Sequence, residues 1–341
     1  MKRKEFIGRT VTTAAMAFIR PQSIFSAEVH HQIQEQMDIE VAIIGGASAG
    51  LAAALTLGRS NRRTIIFDNG EPRNKPAAHA HNIFTRDNTP PAELLRIGRE
   101  QLKPYNTISL HQSFVTKLEK QDGRFMLSNN KGETFLARRV ILATGLKDIL
   151  PDIKGFSELW GNKVIHCPYC HGWEVKDEPL AIINNGKAVE HMVPLIYNLN
   201  KKLQLFTNGK ADLSAGILKW MQTHQIPVIE TAITELQDHP QGVILKTADG
   251  KQTQVTTVYG RAVRYQFHNE LAVQAGCSLT EEGAVVVDEH FQTTVPGIFA
   301  IGDLSHPMAH QIVFAASGGA KAGIACNNGL IMEDYEQYQR S

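Results

Sequence analysis

An α/β fold of two three-layer, Rossmann-like units, the second inserted in the first, is predicted by three features of the chain. A short apolar stretch at residues 40–44 runs into Gly45-Gly46-Ala47-Ser48-Ala49-Gly50 and then into an Ala- and Leu-rich helical pattern at residues 51–57. The pattern repeats in a worn form, where Ala181-Ile182-Ile183-Asn184-Asn185-Gly186-Lys187-Ala188-Val189 lies over residues 42–50. Far downstream, Thr294-Val295-Pro296-Gly297-Ile298-Phe299-Ala300-Ile301-Gly302-Asp303 is again a buried-strand pattern, this one ending on an acid. Short apolar strands alternating with helical stretches belong to a parallel sheet with helices on both faces.

Composition fits that reading. The chain has 341 residues, 43% of them apolar and 20% charged, enough for two packed units. Its 35 Lys and Arg balance 34 Asp and Glu, so no basic excess points to nucleic acid. Four cysteines are too few for a disulfide scaffold, and no uninterrupted apolar run of about 18 residues marks a membrane span.

The first 27 residues differ from the rest. Lys2, Arg3 and Lys4 form a basic start, residues 10–19 are modestly apolar, and Ser26-Ala27 offers small residues for cleavage. This is the profile of a signal peptide, and Arg3-Lys4-Glu5-Phe6-Ile7 resembles a twin-arginine signal with Lys as its second basic residue. Export, in a bacterium to the periplasm, is the expectation. An uncleaved basic tail on a cytoplasmic protein is the alternative.

Each part of the first unit suits a dinucleotide. Gly45 allows the tight turn, small residues from Gly46 to Ala49 let the backbone approach a pyrophosphate, and Gly50 lets helix and strand pack closely. Ala47 departs from the usual second glycine. A second apolar stretch at residues 64–67 ends on Asp68, where an acid accepts hydrogen bonds from an adenosine ribose. Val140-Ile141-Leu142-Ala143-Thr144-Gly145 is a further buried strand ending in a small-residue turn. Together with Gly302-Asp303, these stretches resemble the FAD-binding domain of the two-dinucleotide disulfide reductases. The resemblance implies FAD, with Thr144, Gly145, Gly302 and Asp303 beside it and Asp303 at the ribityl-phosphate region.

His166-Cys167-Pro168-Tyr169-Cys170-His171-Gly172 is the most informative stretch. Two cysteines separated by two residues can close and reopen a small disulfide, cycling two electrons. The flanking imidazoles could stabilise a thiolate or carry its proton. Such a pair is also half of a zinc site. The second half is missing, because Cys277 and Cys326 stand alone and His79 and His81 are remote, so no metal is expected. Fingerprint, central Cys-x-x-Cys and terminal Gly-Asp occur in the order of the low-molecular-weight thioredoxin reductases, over residues 38–335. Within them, Cys-Pro-Tyr-Cys-His-Gly-Trp-Glu looks most like the thioredoxin-reductase-like dithiol oxidases acting on gliotoxin and holomycin. The resemblance implies Cys170 against the flavin, Cys167 exchanging with substrate, and His171 as acid/base where thioredoxin reductases carry an Asp. It matches Gln311 to a flavin-contacting Gln, and implies a dithiol or disulfide substrate and a homodimer. Asn82 and Thr85 lie in a polar loop that could hydrogen-bond the ring.

The second unit has lost its markers. Asn184 stands where the first glycine would be, a residue still able to adopt a left-handed turn. Val189 replaces the third glycine and would crowd the helix–strand contact. The thioredoxin reductases' arginine cluster for a 2′-phosphate is missing, with Lys210 the nearby cation. The expectation is a surviving fold with a decayed NADPH site.

Residues 38–150 and 264–337 are expected to form a discontinuous FAD-binding domain, and residues 151–263 the insert that holds the Cys pair. Cys277, Cys326, Trp160, Trp173 and Trp220 read as packing residues, and residues 332–341 as a fraying end. Three functions remain open: an NADPH-independent dithiol oxidase, an NADPH-dependent thioredoxin reductase, and a non-catalytic redox-sensing flavoprotein.

Overall fold

The computed structural model describes residues 39–306 and 310–341; the signal-like leader lies outside the described residues. One sheet carries five parallel strands in the order Ile108–Gln112, Thr64–Asp68, Ile39–Ile44, Thr134–Leu142 and Ile298–Ala300. Thr134–Leu142 serves two neighbours. Its last residues pair with Ile298–Ala300, and its first ones pair antiparallel with Arg124–Asn129, which continues to Val115–Gln121. The central strand reads Ile-Glu-Val-Ala-Ile-Ile and is buried on both faces, hence its lack of alternation. The helices Ser48–Arg59 and Ile312–Arg340 cover one face. The downstream pattern at residues 294–303 thus returns to the first sheet, and the α/β expectation holds.

A second, smaller sheet is parallel throughout: Val228–Ile229, Leu203–Phe206, Leu180–Ile183, Thr257–Tyr259 and Val164–Ile165. Three antiparallel strands, Ile233–His239, Gly242–Thr247 and Gln252–Val255, pack beside it. All its strands come from the chain between Leu146–Ile149 and Arg264–Phe267. Those two segments pair antiparallel, Ile149 opposite Arg264 and Leu146 opposite Phe267. The chain therefore leaves and re-enters the first sheet's side through one two-stranded ribbon. Among the described residues, no helix is long and apolar enough to cross a membrane.

Two expectations change. The C-terminal end is helical rather than irregular, with the last helix running to Arg340. Arg138 and Arg139 on Thr134–Leu142 bind Glu333, and Asp334 pairs with Arg138 and Arg62, so ion pairs with the sheet fix a polar segment. Val189 does not disrupt its helix–strand contact either. Its side chain is fully buried in the core that joins the helix Val189–Leu199 to the second sheet.

Candidate active site

A cleft of about 700 Å³ opens at the carboxyl ends of the first sheet's strands. Residues Gly45 to Ala49, Asp68, Asn82, Thr144, Gly145, Gly302, Asp303, Gln311, Cys170 and His171 all line it, gathered from separate stretches of chain. Gly50 and Cys167 are not among the lining residues. Gly50 works beneath the surface: a Cβ there would sit 1.9 Å from the Gly45 carbonyl oxygen. Gly45 itself has φ +113°, and its Cβ would stand 2.2 Å from the oxygen of Ala143. These two positions let the turn sink against the neighbouring strand end. Gly46 is required by Asp68, whose side chain would meet its Cβ at 2.7 Å and accepts its N–H at 3.3 Å.

The helix Ser48–Arg59 begins at this turn with Ala47 as N-cap. No side chain caps it, and no acid stands in its first turn. Open backbone donors and the positive end of a twelve-residue helix favour a phosphate. With the glycine cradle and the carboxylate of Asp68 beyond it, the residues present fit a dinucleotide.

The carboxylates of the cleft have partners that sequence spacing does not reveal. Asp68 accepts from Arg99 at 2.7 Å. Arg73, from the loop after Asp68, grips Asp148 with two hydrogen bonds of 2.8 and 2.6 Å and Asp303 with a third of 2.9 Å. Burial opposes the Arg73 charge, but Asp148 and Asp303 outweigh it and hold the guanidinium above its ordinary range. Arg73 thus ties a loop, the connecting ribbon and the Gly302-Asp303 turn into one cluster. Asn82 donates to Gln311 at 3.1 Å, joining the two amides matched to the ring. Thr85, by contrast, is exposed and is not among the residues that line the cleft. The Thr144 hydroxyl donates to the His268 carbonyl at 2.6 Å, so it braces the turn beside the connecting ribbon.

Cys167 and Cys170 form a disulfide across the short helix Pro168–His171. The two flanking imidazoles do not play equal parts. His166 stacks on Trp160, with ring centroids 5.2 Å apart, and one face opens on the cleft. Desolvation and the nearby Arg73 charge lower its pKa from the ordinary value while the cysteines are joined as a disulfide. His171 is also held below its ordinary value, first by burial and then by His81, with Glu174 pulling the other way. His310 lines the cleft beside them, packed edge-on against Tyr265 and bonded to the His306 carbonyl at 2.8 Å.

Cys277 and Cys326 are buried free thiols. Burial raises the Cys277 pKa and pushes that of Cys326 up to about 12, which disfavours the thiolate at both. Trp160 and Trp220 pack as expected, but Trp173 is 67% exposed. It follows Gly172 where the chain leaves the redox helix at the rim, and Lys176 covers one face of its ring.

The second turn is built differently from the first. Asn184 does not adopt the left-handed conformation; the positive φ, 75°, falls at Gly186 instead. The reason is that the turn binds itself. Asn184 Oδ1 accepts the N–H of Asn185, and Asn185 Oδ1 accepts those of Gly186 and Asp212. Asn185 Nδ2 donates to the Lys210 carbonyl at 2.9 Å, closing the gap to the next strand's loop. The N–H groups of Val189 and Glu190 go to the carbonyls of Gly186 and Lys187. Glu190 also places an acid in the first turn of the helix.

Residues 39–319 match the family described as pyridine nucleotide-disulphide oxidoreductase. The chain belongs to that family. Thioredoxin reductase sirT of Leptosphaeria maculans is 32% identical over 84% of this chain and 92% of its own length. Thioredoxin reductase aclD of Aspergillus oryzae is 32% identical over 76% and 87%. Among solved structures, HlmI superposes with a TM-score of 0.82 at 33% identity, covering 89% of this chain and 95% of that one. The crystal structure named putative thioredoxin reductase TrxB, from Bacillus anthracis, gives 0.82 at 32% identity, over 87% and 99%. The chain is an oxidoreductase acting on sulfur groups, and FAD is its cofactor.

Replacing Arg73 with Ala leaves Asp148 and Asp303 without their shared cation. Arg73→Ala should cost about 2–3 kcal/mol of stability and loosen FAD. Melting temperature and the flavin-to-protein ratio after gel filtration measure both, and a variant unchanged in each would remove Arg73 from the cofactor site.

Proposed function

We propose that the protein is an NADPH-independent dithiol oxidase. The observation that carries this reading is the contrast between the two turns: the first helix starts with no side-chain cap and no acid in its first turn, while in the second the N–H groups of Asn185 and Gly186 are taken by the turn's own side-chain amides and Glu190 stands in the helix's first turn. The Cys-Pro-Tyr-Cys-His-Gly-Trp-Glu stretch, similar to that of dithiol oxidases, supports it, as does the missing arginine cluster. The leader supports it independently. Export would take the chain to a compartment without NADPH, and a homodimer is the assembly that the resemblance implies.

The residues would act in sequence. A substrate thiol gives its proton to His171, and its sulfur attacks Cys167. The Cys167–Cys170 bond breaks, leaving the electron pair on Cys170 and a mixed disulfide on Cys167. The second substrate thiol attacks its own bonded sulfur, the substrate leaves as a disulfide, and Cys167 keeps that electron pair with a proton. The substrate has lost two electrons and the cysteine pair has gained them. Bound FAD supplies the two-electron acceptor for that pair. Asn82, Gln311 and the Arg73 cluster would hold the ring side of the cleft, and Gly45 to Gly50 with Asp68 the adenosine side.

A working thioredoxin reductase is the second reading, favoured by the names that the relatives carry. Anaerobic reduction of the flavin separates the two. Dithiothreitol should bleach the flavin band and NADPH should not; rapid bleaching by NADPH, saturating at low concentration, would overturn the proposal.

His171→Ala should slow the thiol half-reaction by about 10²–10⁴-fold with flavin content unchanged. The base form of His171 exists above its lowered pKa. In the wild type the rate should therefore fall only as pH drops below the ordinary histidine value of 6.5. Stopped-flow reduction across pH checks this, and identical profiles for both proteins would end the acid/base role.

A further inference from the structure

Deprotonating a thiol at His171 raises a question of where the proton goes. The S–H bond breaks, an N–H bond forms on the imidazole, and the electron pair passes into the new S–S bond. Where Cys170 is to remain a thiolate, that proton has to leave the site before His171 can serve a second thiol.

The His81 ring packs edge-on against that of His171, with centroids 5.9 Å apart and planes at 84°. On its other side, His81 Nδ1 lies 3.4 Å from Glu174 Oε1 and 3.9 Å from Asp87 Oδ2. Side-chain exposure rises along this row, from 10% at His81 to 41% at Glu174 and 65% at Asp87. A hollow of about 520 Å³ lined by His81, Asp87, Asn88, Trp173 and Glu174 opens there. His79 faces His81 at 6.5 Å between rings, and the buried Tyr259 lies near Glu174 with its phenol kept protonated. His81 and Glu174 come from separate segments, the loop after Asp68 and the stretch after the redox helix, so their meeting is a product of the fold.

We propose that His81 is a positioning residue for His171, forming with Glu174 a proton path from the half-buried imidazole to solvent at the mouth of the cleft. The inference rests on the dithiol-oxidising reading above. In it, the proton leaves His171, passes through water to His81, and is released beside the two carboxylates. Electrostatics ties the same groups together: the His171 pKa is lowered by His81 and raised by Glu174.

The test is anaerobic stopped-flow reduction of the flavin-loaded protein by dithiothreitol, in dilute buffer and with added imidazole. His81→Ala should be slower by about tenfold in dilute buffer. Imidazole, small enough for the open hollow, should restore most of the rate. His81→Gln, which keeps the bulk but carries no proton, should be slowed equally. The acid limb of the rate should move to higher pH in His81→Ala, which removes a neighbour that lowers the His171 pKa. It should move to lower pH in Glu174→Gln, which removes a negative one. Wild-type rates in the variants, or slowing that imidazole and buffer do not touch, would overturn the proton path. A wild type that dithiothreitol does not reduce would instead overturn the dithiol-oxidising reading.

Discussion

The cleft depends on how closely two backbone turns can approach. The turn after Ile39–Ile44 lies against the one after Thr134–Leu142, and a Cβ at Gly45 would stand 2.2 Å from the Ala143 oxygen. Gly50 repeats the constraint one helical turn on, at 1.9 Å from Gly45. Because neither residue carries a side chain, the helix start drops to the level of the strand ends, and its uncapped donors face the cavity. A methyl group at either place would meet backbone oxygen, which cannot rotate aside. Asp68 and the Gly302-Asp303 turn, at or just beyond the ends of neighbouring parallel strands, then converge on the same space.

The second unit keeps the strand, the turn and the helix under a different constraint. Asn184 donates its backbone N–H to Phe206 just as Gly45 donates to Phe67. From there the two turns part. Side-chain amides of Asn184 and Asn185 replace what a bound phosphate would satisfy, and Val189 fills the helix–strand contact with a buried side chain. Hydrophobic burial holds this unit together, so the fold can persist without a ligand. The redox pair sits between the two outcomes, with Cys170 lining the cleft and Cys167 outside its lining.

Much of this was legible in the sequence because the signals are local. Glycines, strand ends and the Cys-x-x-Cys pair act within a few residues of one another, and the expected cofactor-lining residues line the cleft, with Gly50 and the loop residue Thr85 as exceptions. Gly50 was read as a packing residue and is one. The Arg73 cluster was not legible, since its three charges lie on a loop, a ribbon and a turn that only the fold brings together. The tie of His81 to His171 and Glu174 depends on the same long-range closure. Asn184 misled for a different reason: tolerance of a left-handed turn is a property of the residue, while the side-chain bonds that made the turn unnecessary depend on Asn185. The helical end at residues 332–341 was missed because its partners, Arg62, Arg138 and Arg139, lie far back in the chain.

Calorimetric titration of the FAD-loaded protein with NADPH tests the contrast between the two turns most directly, because it needs no assumption about substrate. A second turn whose Asn185 and Gly186 N–H groups are held by its own side chains, with Glu190 at the helix start, should give no saturable heat up to about millimolar NADPH, the weak-binding end of the affinity scale. Saturable one-to-one binding with a dissociation constant near the micromolar range would contradict the closed second turn and return the protein to NADPH-dependent chemistry.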